Sequence, residues 1–267
     1  MEQQSNFQRI SLSGDGERWL ANTRVDTIVL TKNSGKVLKE CLASVYENVP
    51  VNNLIVVDGY STDSTLDIVE EFQARYGNVV LIQDRGTRGS ARQRAIECVK
   101  SNWFMFVDSD VVLCKEWFKK AGRYIQDDVG AIWGIDIPGA VRGRLMTKVL
   151  QWMEARVFDI RGGCHDILIR HDAVKGIKIP SHLHTLEDAY IKEWIASRKY
   201  KVVVSYGSYC THYKTMKDLF SKENRSSTIS EFKNMRFMRE RLVFSAFFAL
   251  VWFLQQIRSR NGAEYLT

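Results

Sequence analysis

Three prolines in 267 residues leave little material for a long extended linker. The five cysteines, Cys41, Cys98, Cys114, Cys164 and Cys210, include no C-x-x-C pair, so a structural zinc site has no support. Their number is odd and the chain is not small, which predicts free thiols in a reducing compartment rather than a disulfide framework. Met1 to Arg24 is polar and lacks the apolar core of a signal peptide, so a cytoplasmic location is expected. There is no internal repeat and no low-complexity segment. The apolar run Leu242 to Leu254 would span roughly 20 Å as a helix, against roughly 30 Å of bilayer hydrocarbon. Arg239 and Arg241 flank one end and Arg258 and Arg260 the other. Surface attachment to a membrane or burial against protein is expected in place of a span, and a core helix remains the plain alternative.

What is present suits one large domain or two small ones: 45% hydrophobic and 26% charged residues, with enough length for a sizeable core. The net charge of +7 points to an anionic partner: nucleic acid, a phosphate-bearing substrate or an acidic membrane face. Charge alone does not choose among these. A nucleic-acid reader is disfavoured because no recognised reader motif occurs and acidic residues crowd the loops that would meet phosphate.

The central stretch is Trp103-Phe104-Met105-Phe106-Val107-Asp108-Ser109-Asp110. Its bulky apolar run is too short for an independent helix and reads as a buried strand. Asp108 and Asp110 then fall at the strand's C-terminal edge, where open α/β sheets place ligands. Spaced i, i+2, the two carboxylates are expected on one strand face. A divalent cation carrying phosphate oxygens would relieve their repulsion. The plain alternative is a solvated Asp-Ser-Asp turn.

Three strand-loop-helix units precede this strand. Val25 to Leu30 leads into Thr31-Lys32-Asn33-Ser34-Gly35 and a helix carrying Val37, Leu38, Leu42 and Val45. Leu54 to Val57 leads into Asp58-Gly59-Tyr60-Ser61-Thr62-Asp63-Ser64-Thr65 and a helix that Asp63 or Ser64 can cap. Val79 to Ile82 leads into the basic loop Arg85 to Ser90 and a helix over Ala91 to Lys100, with Ser90 as its cap. This alternation predicts a parallel sheet with helices on its faces. Asn33, Asp58, Arg85, Arg88, Asp108 and Asp110 should gather at one sheet edge. Beyond it, helices are expected over Lys115 to Ile125, Leu145 to Phe158 and from Leu186. Strands are expected over Ala131 to Ile137, before Arg170, and over Lys201 to Val204. Trp133 and Trp152 are candidates for stacking on an acceptor.

In these blocks the chain resembles glycosyltransferase family 2, inverting nucleotide-sugar transferases of the GT-A fold. The resemblance covers Val25 to His212. It rests on Thr31-Lys32-Asn33, on Val56 to Thr65, on Gly89-Ser90-Ala91-Arg92-Gln93 (with Gln93 where Asn is usual), on Asp108-Ser109-Asp110, on Gly163 with Ile169-Arg170, on Leu186-Glu187-Asp188, and on a late His212. It implies an α/β, Rossmann-like, mostly parallel sheet flanked by helices, with a C-terminal helical extension. It also implies a donor-nucleotide site at Thr31, Asn33, Asp58, Arg92 and Asp108, and a divalent metal (Mn²⁺ or Mg²⁺) held by Asp108, Asp110 and His212. Acceptor contacts would come from Gly163, Arg170 and Glu187. Asp188 would be the general base, unless the acceptor is a lipid phosphate, which needs none.

The expected organisation is an N-terminal arm (1–24), a catalytic domain (25–213) and a basic and apolar extension (214–267). The catalytic domain divides into a nucleotide-binding half (25–112) and an acceptor-binding half (113–213). The expected partners are a nucleotide-sugar donor and a glycan or lipid-linked acceptor at the inner membrane face, with membrane contact through 236–260 and no nucleic acid. A sugar nucleotidyltransferase is the closest competing reading. Such enzymes open with a Gly-rich loop after the first strand, and Thr31 to Gly35 is not one.

Overall fold

The computed structural model describes residues 22–138, 164–184 and 187–213. The arm up to residue 21, the expected helix with Trp152, Gly163, Leu186 and the whole extension, including 236–260, lie outside the described residues.

The first half alternates strand and helix as the hydrophobic pattern requires. Strands β1 (Val25–Thr31), β2 (Val51–Asp58), β3 (Val79–Gln83) and β4 (Trp103–Asp108) alternate with helices α1 (Leu38–Asn48), α2 (Thr65–Tyr76) and α3 (Arg88–Glu97). Helix α3 starts three residues earlier than the expected Ala91. Its cap is Thr87, whose hydroxyl accepts from the Ser90 backbone N–H at 3.2 Å, so Ser90 is the capped residue and not the cap. After β4 come β5 (Val111–Leu113), a short α4 (Trp117–Ala121) ending in a 3₁₀ turn, β6 (Val129–Pro138), β7 (Asp166–Arg170), α5 (Glu187–Ser197) and β8 (Lys201–His212). Among the described residues no helix is long and apolar enough to cross a membrane.

The eight strands form one sheet in the order β3-β2-β1-β4-β7-β6-β8-β5. Strands β3, β2, β1 and β4 run parallel. The other half is mixed: β7 is antiparallel to β4 and β6, β8 is parallel to β6, and β5 is antiparallel to β8. Strand β4 shows the period of two directly. Trp103, Met105 and Val107 pack with Leu38 and Leu42 of α1 on one face. Phe104 and Phe106 pack with Ala95 and Ile96 of α3 and Ile191 of α5 on the other. Burying side chains of this size contributes about 1.5–3 kcal/mol each, so this strand anchors both layers.

The end of the sheet remote from the predicted site is fastened by a residue no motif pointed to. Asp26 is fully buried in β1 and accepts hydrogen bonds from Asn52 Nδ2, Asn53 N and Nδ2, Lys100 N and Ser101 N at 2.7–3.2 Å. Burial pushes its carboxyl up, but these donors outweigh burial and hold it below the usual range. One carboxylate thus joins the starts of β1, β2 and β4.

Candidate active site

At the opposite edge the sequence places polar loops directly after β1, β2, β3 and β4. The β1 and β2 loops are knitted together. Thr31 Oγ1 donates to Asp58 Oδ1 at 3.0 Å, Ser61 N donates to Asp58 Oδ2 at 2.9 Å, and the Ser61 hydroxyl donates to Oδ1. Asn33 receives Thr62 N on its Oδ1 at 2.9 Å, and its own N–H reaches Ser61 Oγ at 2.8 Å. Thr31 and Asp58 are buried, Asp58 completely. The Asp58 carboxylate, expected to face a base or ribose, here faces its own loop. It fixes the floor on which Asn33 stands exposed.

The D-x-D pair is brought together differently from expectation. Strand β4 ends at Asp108, and Ser109-Asp110 is a turn before β5, so the carboxylates do not share a strand face. The turn residues override the i, i+2 rule. Asp108 continues the Phe104 and Phe106 face, where α3 lies. Arg92 of α3 stacks over Phe106 at 4.7 Å and reaches Asp108 Oδ1 at 3.3 Å. Its Nε reaches Glu187 Oε1 of α5 at 3.2 Å. Arg92 and Glu187 are both only 4% exposed. Arg92, expected to meet a diphosphate, and Glu187, expected to meet an acceptor, therefore bind each other inside the protein. Burial opposes the Arg92 charge. The carboxylates of Glu187, Asp108 and Asp188 more than offset it, so the guanidinium stays charged. Asp188 stands in the same electrostatic cluster, half-buried in the first turn of α5, with its Oδ1 accepting from Ala189 N at 2.8 Å.

Asp110 turns toward β8. His212 Nε2 lies 3.1 Å from Asp110 Oδ1, and His212 Nδ1 lies 2.9 Å from Asp136 Oδ2. Strand β8 pairs with both β5 and β6, which brings His212 opposite Val111 and Pro138. Asp136 is a site residue the sequence reading missed. Its signal was a lone carboxylate between Ile135 and Ile137 at the end of an apolar strand. Two adjacent ligands on an octahedral ion at about 2.1 Å are about 3 Å apart. The 3.1 Å between Asp110 Oδ1 and His212 Nε2 fits that spacing, with Asp136 orienting the ring from behind.

A second His–Asp pair lies beside this group. His165 Nδ1 is 2.5 Å from Asp166 Oδ1, and Trp117 Nε1 donates to Asp166 Oδ2 at 2.7 Å. Burial would lower the His165 pKa, but Asp166, with help from Asp136 and Asp108, pushes it up to about 10. Cys210 Sγ is 3.6 Å from the same Nδ1. One nitrogen thus faces both partners, which describes an ion pair with a thiol beside it and not a cation cage.

Two further expectations change. Arg170 does not reach the site. Because β7 runs antiparallel to β4, Arg170 pairs with Trp103 at the strand's other end, five residue steps or roughly 17 Å from Asp108. There its guanidinium stacks on Trp103 at 4.8 Å and donates to the carbonyls of Val129 and Gln126. Trp133 is buried in the core, with Lys192 Nζ 4.8 Å from its ring centroid, and offers no stacking face.

The segment leading to α5 is clamped onto α3. Thr87 Oγ1 donates to Ser181 O at 2.7 Å, Gly89 N donates to Leu183 O at 2.9 Å, and Ile179 N donates to Gln93 Oε1 at 3.0 Å. A Cβ on Gly89 would lie 2.7 Å from the Pro180 carbonyl oxygen, which is why glycine stands there. Gln93, where the resembled family usually has Asn, has a task here: it holds this strap.

Comparison with known proteins agrees with this geometry. The sequence model described as glycosyl transferase family 2 matches residues 26–175. A poly(ribitol-phosphate) beta-glucosyltransferase of Bacillus spizizenii is 27% identical over 203 residues, 70% of this chain and 32% of that protein. The chain thus spans about a third of that relative's length. The crystal structure of S. aureus TarS 1-349 with UDP superposes with TM-score 0.59 at 22% identity, covering 81% of this chain and 68% of that one. A mannosyltransferase from Pyrobaculum calidifontis, solved with GDP-Man and Mn²⁺, gives TM-score 0.63 at 17% identity over 82% of this chain and 69% of that one. At these identities the structures establish the fold: the mixed α/β sheet with flanking helices of GT-A transferases.

Proposed function

The chain belongs to glycosyl transferase family 2, and from that premise we propose that it moves a sugar from a nucleotide-diphosphate donor to an acceptor hydroxyl, with inversion at the anomeric carbon. The observation that carries the reading is Arg92. This buried cation ties Asp108, at the end of the donor-side strand, to Glu187, the neighbour of Asp188. This link supports a fixed spacing between donor and acceptor chemistry. Pre-set distances of this kind are what a direct displacement needs.

In this reading the loops of Thr31, Asn33 and Asp58 seat the nucleoside, with Asp58 shaping the seat. Asp108 and the Asp110–His212 pair face the diphosphate. Asp110 and His212 would hold a divalent metal, Mn²⁺ or Mg²⁺, with Asp108 beside it. When bound, that ion neutralises charge on the leaving diphosphate. Asp188 takes the proton from the acceptor hydroxyl as its oxygen attacks the anomeric carbon opposite the departing diphosphate. No enzyme-bound sugar is required.

The acceptor class is supported by the relatives' printed activities. The Bacillus protein and a S. aureus beta-N-acetylglucosaminyltransferase, 33% identical over 126 residues, both act on poly(ribitol-phosphate). A hydroxyl on a polyol-phosphate cell-wall polymer suits the chain's net charge of +7. A hydroxyl also needs the base, which a lipid-phosphate acceptor would not. Work at the inner membrane face, with 236–260 on the lipid surface, remains part of the proposal through its flanking arginines. The sugar nucleotidyltransferase and nucleic-acid readings have no support in the family match.

The test is Asp188→Asn. Donor binding, followed calorimetrically with Mn²⁺, is expected within about twofold of wild type. Transfer to a polyol hydroxyl is expected to fall by roughly 10²–10⁴. Unchanged turnover would remove the base assignment.

A further inference from the structure

Four non-glycine residues among those described adopt the left-handed backbone: Asn33 (φ 51°), Tyr60 (φ 59°), Glu116 (φ 58°) and Lys199 (φ 65°). Asn tolerates this conformation. Glu116 stands at the entry to α4, and Lys199 lies just beyond the end of α5. Tyr60 is different: a bulky ring in the loop after β2, where the conformation is strained and glycine would remove the strain. The ring does not repay that strain by burial, since Tyr60 is 41% exposed. Instead the Arg85 guanidinium, from the loop after β3, lies over it at 4.2 Å from the ring centroid.

The surroundings define where this ring stands. Asp84 N donates to Asp58 O at 2.9 Å, so the loops after β2 and β3 are joined at their start. The neighbouring Ser61 is bound to Asp58 and to Asn33 N. The Tyr60 loop therefore shares the C-terminal edge of β1, β2 and β3 with Thr31, Asn33 and Asp58, the edge at which open sheets take ligands. A strained, exposed aromatic at such an edge is the pattern of a group kept for a ligand.

We propose that the Tyr60 ring, steadied by Arg85, is the platform on which the base of the donor nucleotide stacks. The proposal rests on the nucleotide-sugar reading above and adds a donor-binding residue to it. Every base has a π-face, so a stacking platform supplies affinity without choosing the base. The choice then falls to hydrogen-bonding groups such as Asn33.

The experiment is calorimetric titration of UDP and GDP, with Mn²⁺, into wild type, Tyr60→Phe, Tyr60→Leu and Tyr60→Gly, with unfolding temperatures measured in parallel. Tyr60→Phe is expected within about twofold of wild type, because it keeps the π-face. Tyr60→Leu and Tyr60→Gly are expected to lose about tenfold in affinity for whichever nucleotide binds. Tyr60→Gly should unfold no lower than wild type, since glycine accepts this φ freely. A merely structural ring would give the reverse: lower stability with affinity kept. Should Tyr60→Gly prove unstable, Tyr60→Leu decides, since it keeps a side chain and lacks only the ring. Wild-type affinity in Tyr60→Leu overturns the platform alone. A wild-type protein that binds neither nucleotide, nor dTDP titrated in the same way, overturns the nucleotide reading beneath it.

Discussion

Arg92 and Arg170 sit at opposite ends of β4, and the end decides what each does. Arg92 meets Asp108 and Glu187 where the loops converge, while Arg170 packs on Trp103 and holds the carbonyls of Val129 and Gln126. Replacing Arg170 by Ala is therefore expected to leave transfer within about twofold. It should cost about 1–2 kcal/mol of stability through lost packing and hydrogen bonds, read by urea denaturation. A raised acceptor KM with stability unchanged would restore Arg170 to the site. The residue types of the candidate site could be picked out because D-x-D, E-D and the late His are short patterns with chemical content. The contacts were not. Arg170 looked like a site residue because it shares a block of the family resemblance with Gly163, and only the antiparallel direction of β7 carries it away. Asp136 was missed because one carboxylate in an apolar strand has no motif, although its position between two isoleucines marks it.

Elements place these residues by strand direction and by one clamp. The alternation of strand and helix from Val25 to Asp108 was readable because each strand is a short apolar run ending in turn residues. The mixed half was less so. Strand β8 was expected only over Lys201 to Val204 but runs to His212, since pairing with β6 and β5 holds a polar, aromatic stretch extended. That tertiary pairing brings His212 to Asp110. The strap over 179–184 was invisible in sequence, being held by single hydrogen bonds, two donated by Thr87 and Gly89 and one accepted by Gln93. Gly89→Ala must push back the Pro180 carbonyl, 2.7 Å from the new Cβ, and with it the lead into α5. Overpacking of this kind costs about 1–3 kcal/mol. The expected kinetic result is a lower kcat with donor affinity unchanged, because Asp188 moves and the β1–β2 loops do not. An unchanged kcat would show that the strap does not set the position of Asp188.

Across the whole molecule, carboxylates dominate the site of a chain whose net charge is +7. Among the described residues, Asp108, Asp110, Asp136, Asp166, Glu187 and Asp188 surround few cations. One of these is His165, held charged by Asp166, with a pKa pushed up to about 10. A folded pKa above the ordinary value of about 6.5 means stability fully present below that pH and lost as pH rises through about 10. The difference in unfolding free energy between wild type and His165→Gln should thus be largest at and below about pH 6.5, shrink as pH rises from there toward about 10, and be absent above it. A difference that grows with pH would mean His165 is neutral in the fold. That carboxylate excess supports the proposal that this site binds a nucleotide-sugar through a divalent cation at Asp110 and His212. The most direct measurement is thermal unfolding with UDP-, GDP- and dTDP-sugars, each with and without Mn²⁺, on wild type and Asp110→Ala. One donor is expected to stabilise wild type only with Mn²⁺, by about 2.7 kcal/mol at a hundred times its dissociation constant, and to do nothing for Asp110→Ala. No shift with any donor, or an equal shift in both proteins, would contradict it.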